Sequence, residues 1–156
     1  MGDIPHDLDL VLERTLAAPR HAIWRCWTEA DLLKQFFCPR PWTTPVAELD
    51  VRPGGTSFTV MNGPNGEEFE NRGVYLEVVP DRRLVFTDAY TEAWLPSDKP
   101  FMTAIIDLDD ALGGGTLYRA IARHWTAEDK DAHEKMGFHD GWGAVAGQLE
   151  ALAKTL

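Results

Sequence analysis

The sequence has few cysteines and no long apolar run. Only 2 of its 156 residues are cysteine, which is too few for the disulfide framework of a small secreted domain. No apolar stretch approaches the roughly 18 residues that a membrane-spanning helix needs. Residues 1–10 lack the basic and apolar regions of a signal peptide. These features predict a cytoplasmic protein that does not span a membrane.

Positive charge is also scarce. The 15 Lys and Arg residues are outnumbered by 25 Asp and Glu residues, so the formal net charge is −10 at pH 7. A protein that binds the backbone of a nucleic acid needs a basic face, and an anionic membrane surface attracts basic segments in the same way. We therefore expect neither a nucleic acid nor a membrane as a partner.

The common motifs of metal-dependent and nucleophilic enzymes are missing. The chain contains no His-Glu-x-x-His, Cys-x-x-Cys, Gly-x-Ser-x-Gly or dinucleotide-binding pattern. His133 and His139 are separated by six residues, or about 600° around a helix, so they do not share a face. Cys26 lies in an apolar helical pattern and is expected to be a small buried side chain. The sequence therefore predicts no metal and no cofactor, and it assigns no catalytic residue.

Alternating apolar residues, separated by turn-forming residues, predict seven β-strands. Most of these strands follow one another through short turns, which favours an antiparallel sheet. Because the chain has no repeat and no linker, residues 1–156 are expected to form a single domain. The predicted strands are residues 8–16, 46–51, 56–61, 69–79, 83–90, 101–108 and 116–125.

Helices are predicted on both sides of this series of strands. Pro19 is placed to begin a first helix, and Thr28 with Asp31 resembles a capping box that begins a second short helix. Residues 126–156 are predicted to form one long helix with four glycines. Each glycine costs roughly 0.5–1 kcal/mol relative to alanine, which either close approach to the sheet or a bend would explain. Its apolar stripe is Phe138, Trp142, Val145, Leu149, Leu152 and Leu156.

Three segments resemble a known family. Residues 16–28, 49–56 and 136–143 are similar to the entry into the first helix, a strand turn and the closing helix of the family named for homologues of the activator of heat-shock-protein-90 ATPase. This family lies within the START-like, polyketide-cyclase-like (SRPBCC) superfamily. The resemblance implies an α+β helix-grip fold, in which a seven-stranded curved antiparallel sheet wraps around a long C-terminal helix. Two short helices lie between the first and second strands.

The candidate site is the space between the long helix and the sheet. Aromatic residues on strands mostly fill cores, but Trp42 and Trp94 lie in proline-bounded loops and are expected, with the second helix, at the cavity mouth. Where relatives carry an aromatic pair followed by Gly-Pro, this chain has residues 36–39, Phe-Phe-Cys-Pro, so its mouth should differ. The expected apolar lining comprises Trp27, Phe36, Phe37, Trp42, Phe58, Phe69, Tyr75, Phe86, Tyr90, Trp94, Phe101, Tyr118, Met136 and Trp142.

Two polar residues are added to this candidate site. Asp88 has the same strand parity as Phe86 and is expected to point with it. Arg119 alternates with Tyr118, and periodicity alone does not indicate which of the two faces inward. An inward Arg119 would pair with an anionic ligand or with Asp88, whereas an outward one would be solvated or paired on the surface, as the cost of burying a charge favours.

The preferred functional hypothesis is a binding protein for a small apolar or amphipathic ligand, lipid-like or polyketide-like, with no chemical reaction. One alternative is a protein-binding module of the co-chaperone or regulatory type, with a protein partner or a second copy of the chain. The other alternative is a cyclase-like or hydrolase-like enzyme that uses Asp88, Arg119 or His139. Fold similarity alone does not decide between these functions.

Overall fold

The computed structural model describes residues 6–156. The prediction that residues 1–10 are not a signal peptide therefore lies partly outside the described residues. Within residues 6–156, seven antiparallel strands form one curved sheet, and two short strands, β6 and β7, form a separate hairpin. The strands are β1 Asp9–Leu16, β2 Thr43–Leu49, β3 Thr56–Asn62, β4 Glu68–Val79, β5 Arg83–Thr87, β6 Tyr90–Glu92, β7 Leu95–Pro96, β8 Met102–Asp110 and β9 Thr116–His124.

The helices pack against the concave face of this sheet. A 3-10 turn, Leu112–Gly114, joins β8 to β9. None of the helices between residues 6 and 156 is long and apolar enough to cross a membrane. The helices are α1 Arg20–Thr28, α2 Ala30–Leu33, α3 Ala127–Lys135 and α4 Phe138–Ala153.

The spatial order of the strands is β1-β9-β8-β5-β4-β3-β2, so the first and last strands of the chain are neighbours. Alternation along these strands separates two apolar clusters. The larger cluster joins the concave face to α1 and α4 and includes Leu12, Ile23, Ala120 and Leu149. The smaller cluster is on the convex face. The α+β helix-grip prediction, with two short helices between the first two strands, is confirmed.

The prediction of one continuous helix over residues 126–156 is wrong. Thr126 does cap the first turn, since its hydroxyl accepts a hydrogen bond from the Asp129 N–H at 3.0 Å. The helix then breaks at Gly137, whose φ of 94° lies in the left-handed region, where a glycine is free of the steric cost that a Cβ imposes. The long C-terminal helix is therefore α4 alone, and Leu156 lies beyond its end.

Of the two explanations offered for the glycines, the bend applies to Gly137 and close packing applies at most to Gly143. A Cβ at Gly143 would stand 3.3 Å from the Arg14 guanidinium, whereas a Cβ at Gly147 would meet nothing within 4 Å. Nothing in the structure explains Gly147. The predicted capping box of the second helix is also wrong, because the Thr28 hydroxyl donates to the Trp24 carbonyl at 2.7 Å instead of capping α2.

Candidate ligand-binding cavity

A cavity of about 600 Å³ lies between the concave face of the sheet and the helices. Its volume is within the range of small-molecule sites, roughly 300–1,000 Å³. One wall comes from β3, β4, β5, β8 and β9, and the opposite wall comes from α1, the segment after α2, and the two C-terminal helices. The bend at Gly137 tilts α3 relative to α4, so that both helices contribute to this wall.

Trp27 holds the inner end of the cavity together. It is on the inward face of α1 and is buried. Its ring packs edge-on against Phe36 and Phe37, with centroids 5.2 and 6.1 Å away, and it lies tilted at 5.9 Å from Phe86 of β5. Aromatic rings at these distances and angles attract each other beyond the effect of their buried area. This cluster therefore fixes the position of α1 over the sheet.

Half of the residues predicted to bind a ligand are brought together in this cavity. Asp88 and Met136 are among them, although neither is on a regular strand or helix. Tyr118, which the sequence placed in the apolar lining, is there too. The predicted binding residues that line the cavity are Trp27, Phe37, Phe86, Asp88, Phe101, Met136 and Trp142.

The two tryptophans predicted at the mouth do not line the cavity. Trp42 stacks on Phe69 at 5.8 Å and lines a separate, smaller hollow behind Cys38. Trp94 packs edge-on against Tyr90 at 5.5 Å on the β6–β7 hairpin and is 60% exposed. Both tryptophans do lie in loops or short strands at the surface, but each has found another aromatic partner. Neither they nor Phe69 and Tyr90 line the cavity.

The exposed residues that do line the cavity mark its real mouth. They lie on β4, in the segment that precedes β8, and at the α3–α4 bend. These residues are Glu70, Asn71, Arg72, Lys99 and Met136. The mouth thus lies where Asn71, Lys99 and Met136 meet the solvent, because Arg72 turns its guanidinium to the convex face.

Phe58 and Tyr75 do not contact the cavity either. In β3, alternation sends Ser57, Thr59 and Met61 into the cavity, so Phe58 points to the convex face. There the Arg72 guanidinium covers its ring at 4.3 Å, a cation–π contact. Tyr75 is buried in the main core, and burial raises the pKa of its hydroxyl to about 12.

Of the two orientations left open for Arg119, the structure has the outward one, so this candidate residue does not line the site. Tyr118, Ala120 and Ala122 belong to the concave core, whereas Ile121 belongs to the convex cluster. Arg119 therefore lies on the convex face, where its Nε is 3.4 Å from Oε1 of Glu13. This is the surface pairing that the cost of burying a charge favours.

Asp88 is the partly buried carboxylate among the residues that line the cavity. The chain leaves the sheet after Thr87, earlier than the predicted end of this strand at residue 90, because Oδ1 of Asp88 accepts hydrogen bonds from the N–H groups of Phe101 and Met102 at 2.8 and 3.1 Å. Burial raises the pKa of Asp88, and these two hydrogen bonds oppose the shift. Of the three residues considered for an enzyme, Asp88 lines the cavity, whereas Arg119 and His139 do not.

Sequence reasoning missed His133, which meets His124 at one end of the cavity. Nε2 of His124 is 2.8 Å from Nδ1 of His133, and Nδ1 of His124 is 2.9 Å from the Leu8 carbonyl oxygen. Both rings are buried. Burial, and to a smaller degree the charge of His124, lowers the pKa of His133 to about 4. The alternation in β9 could have indicated that His124 faces inward, but nothing in the spacing of α3 indicates that His133 contacts it.

Two buried polar atoms of the cavity wall, the Trp27 indole nitrogen and the Ser97 hydroxyl oxygen, have no hydrogen-bond partner within residues 6–156. The indole N–H of Trp27 is buried and makes no hydrogen bond within residues 6–156. The Tyr118 hydroxyl is its polar neighbour, but the geometry is not that of a hydrogen bond. Tyr118 is also buried, and burial raises its pKa. A buried donor without an acceptor is unfavourable by about 1–3 kcal/mol, so this N–H is an unsatisfied group inside the wall.

The cysteines do not resemble nucleophiles. Cys26 is fully buried, and burial raises the pKa of its thiol to about 11. Cys38 lines the cavity with its thiol 3.1 Å from the Thr44 hydroxyl, and burial raises its pKa as well. Because the thiolate is the reactive form, both groups are inert at neutral pH. No three His, Cys, Asp or Glu side chains among the described residues are arranged to hold a metal ion.

A curved antiparallel sheet that encloses a cavity against a long C-terminal helix defines the helix-grip class. Within this class, the family model described as "Activator of Hsp90 ATPase homolog 1-like protein" matches residues 17–154, and the chain belongs to this family. No curated protein matches the chain.

Solved structures from several bacteria share the fold. Protein NE0264 from Nitrosomonas europaea is 43% identical in sequence, with 97% of each chain covered and a TM-score of 0.92. Protein Ms6760 from Mycobacterium smegmatis is 27% identical, with 97% of this chain and 95% of that chain covered and a TM-score of 0.79. Protein CV1439 from Chromobacterium violaceum is 25% identical, with 92% and 96% covered and a TM-score of 0.75.

Proposed function

We propose that this protein binds a small apolar or amphipathic molecule, lipid-like or polyketide-like, in the cavity between α4 and the sheet. The observation that carries the proposal is a space of about 600 Å³ whose largely apolar wall includes six Phe, Tyr and Trp side chains. Protein interiors are close-packed and rarely contain voids much larger than a water molecule. A space of this size forfeits packing contacts that a guest would restore.

The few polar groups of the wall favour an amphipathic guest over a purely apolar one. The Asp88 carboxylate and the His133 ring offer acceptors, and the Trp27 indole N–H is a donor without a partner that is buried in the wall. A small number of placed polar groups in an apolar wall is the usual way in which a pocket orients its ligand. The proposed binding residues are Trp27, Phe37, Phe86, Asp88, Phe101, Tyr118, His133, Met136 and Trp142.

Filling the cavity tests this proposal. Ala104 lies on its floor and Val145 on its α4 side, so Ala104→Phe and Val145→Phe each place a ring where the guest would be. With the neutral dye Nile red as the probe, we expect saturable fluorescence enhancement with the wild-type protein and at least a tenfold loss of affinity in each variant. The control is Leu117→Phe on the half-exposed convex side of β9, which should bind like the wild type.

The outcomes of this experiment separate clearly. Thermal melting establishes which variants are folded. Because the two filling variants change opposite walls, the test can still be made with one of them if the other does not fold. Unchanged dye affinity in a folded filling variant contradicts the proposal. No saturable binding of Nile red, or of fatty acids and aromatic polyketides that would displace it, also contradicts the proposal.

A second candidate function is protein binding through the β6–β7 hairpin. Trp94 and Leu95 are 60% and 55% exposed there, and large exposed apolar side chains favour interfaces. The partners to test are a second copy of the chain and, because of the family's description, Hsp90. Sedimentation of the protein alone and with purified Hsp90 should show association that the double variant Trp94→Ser/Leu95→Ser abolishes. If the protein sediments as a monomer both alone and with Hsp90, neither proposed partner binds and this second candidate function is contradicted.

We further propose that residues 1–156 form one domain and that the protein acts in the cytoplasm. The uninterrupted family match over residues 17–154 supports the first statement. The free thiols of Cys26 and Cys38 support the second, because a reducing compartment keeps cysteines in this state. Limited proteolysis of the purified protein and fractionation of the source cells test the two statements separately.

A further inference from the structure

The hydrogen bonds of His124 determine which of its nitrogens carries a proton. Its Nδ1 is 2.9 Å from the carbonyl oxygen of Leu8, and a carbonyl oxygen only accepts. Nδ1 therefore carries the hydrogen and donates it. In the neutral ring, Nε2 of His124 then carries a lone pair and can accept one hydrogen bond.

This arrangement determines the tautomer of His133 in turn. Nδ1 of His133 is 2.8 Å from Nε2 of His124. When both rings are neutral, Nδ1 of His133 therefore carries the hydrogen and donates it to Nε2 of His124. An extra proton on either ring would reverse this order. However, the pair is buried beside Phe101, Phe138 and Trp142, with centroids 5.2, 5.2 and 5.9 Å from the His133 ring. A charge there would lose its hydration, so the neutral arrangement is favoured.

The consequence is a lone pair on Nε2 of His133. This residue lines the cavity and is only 8% exposed. No group within residues 6–156 forms a hydrogen bond with Nε2 of His133. This atom is nevertheless not one of the fully buried polar atoms without a partner, so it remains accessible from the cavity. Asp88 and Lys99 are the other titratable side chains of the cavity near the start of β8, and neither forms a hydrogen bond or salt bridge with His133. The acceptor is thus held in place and left open.

We propose that Nε2 of His133 accepts a hydrogen bond from an uncharged hydroxyl or N–H group of the ligand, so that the cavity prefers ligands with such a donor over otherwise identical ligands without one. This inference rests on the proposed ligand-binding function and specifies its substrate class. The Leu8 carbonyl and His124 act as positioning groups, because they set the tautomer of His133 without touching the guest.

The physical basis for the preference is the cost of leaving a buried polar atom unpaired. A ligand without a donor would cover Nε2 and remove its access to water without replacing the hydrogen bond. Sites that are built around a hydrogen bond reject analogues that lack the matching group much more strongly than apolar pockets reject a changed methylene. For one neutral hydrogen bond we expect a difference in affinity of about tenfold.

A pair of probes tests the proposal directly. 2-Naphthol and 2-methoxynaphthalene share a ring system and are both uncharged at neutral pH, but only the former has an O–H donor. By calorimetry at pH 7, the wild-type protein should bind 2-naphthol about tenfold more tightly. His133→Phe keeps an aromatic ring but removes the acceptor, so it should bind both probes with equal affinity. The matched control is His139→Phe, whose histidine is exposed on α4 and should leave the preference unchanged.

Nitrogen NMR gives a second readout that needs no variant. Long-range ¹H–¹⁵N spectra distinguish the two neutral tautomers, and we expect His133 with its proton on Nδ1 in the free protein at pH 7. Added 2-naphthol should shift the Nε2 resonance, whereas 2-methoxynaphthalene should not. A proton on Nε2, or equal affinity of the wild-type protein for both probes, overturns the inference while leaving cavity binding intact. Binding of neither probe contradicts the proposed function itself.

Discussion

The two halves of the concave face differ in how they are covered. Strands β1 and β9 and the second part of β8 send mostly aliphatic side chains into a close-packed core with α1 and α4, where Leu149 and Ala120 are completely buried. Strands β3 and β4 send Ser57, Thr59 and Asn71 toward the cavity instead. We refer to these regions as the filled half and the open half. The filled half supplies the stability of the fold, and the open half supplies the room for a guest.

The largest effect is expected in the filled half. Leu149 is 0% exposed and packs into the main core from α4. Leu149→Ala removes these contacts and leaves a void, so the free energy of unfolding should fall by about 2–5 kcal/mol. Urea denaturation followed by circular dichroism measures it. A loss below about 1 kcal/mol would mean that the core relaxes into the cavity, and the distinction between the halves would fail.

The next effect concerns His133, where the two halves meet. Burial lowers the pKa of His133 to about 4 in the folded protein, against an ordinary value of 6.5. Below pH 6.5 the unfolded chain therefore binds a proton that the folded protein does not. Between pH 6.5 and 4, the wild-type protein should lose up to about 3 kcal/mol of stability from this group.

The His133→Phe variant isolates this contribution, because every other titrating group is common to both proteins. The difference in unfolding free energy between the wild-type protein and the variant should change steadily from pH 7 to pH 4 and then level off. Denaturation curves at four or five pH values measure it. A constant difference would show that His133 is not kept neutral by its surroundings.

The smallest effect is expected at the outer edge of the open half. Phe69 is 55% exposed and stacks on Trp42 beyond the cavity. Phe69→Ala should lower the unfolding free energy by no more than about 1 kcal/mol and should leave the affinity for Nile red unchanged. Thermal melting and dye titration measure the two quantities. A clear loss of dye binding would extend the site to this stack and would place Trp42 at its rim after all.

The same comparison explains where prediction from the sequence succeeded. In the filled half, inward positions are apolar, so the alternation in β1 and the stripe Phe138, Trp142 and Val145 located the core correctly. Trp27 and Phe86 were found because they sit where this core meets the cavity. The order of strands and helices was predictable for the same reason, since it depends on periodicity and on turn residues.

Prediction failed in the open half, where inward positions are polar and apolar side chains face outward. In β3 the polar side chains face inward and Phe58 faces outward under Arg72, so reading apolar as inward selects the wrong residue. His133 depended on a contact with β9 that spacing along the helix does not reveal. The helix break depended on the backbone conformation of Gly137, and a glycine inside an apolar periodic pattern gives little local warning of a break.

The pairing of the first strand with the last has a consequence for biosynthesis. The carboxylate of Asp9 on β1 bonds the guanidinium of Arg123 on β9 at 2.8 and 2.9 Å, across a sequence separation of 114 residues. Until β9 has emerged from the ribosome, β1 has no neighbour in the sheet and exposes both of its edges. The nascent chain must therefore keep an unpaired leucine-rich strand from aggregating during most of translation, and contacts this distant in sequence make folding slow.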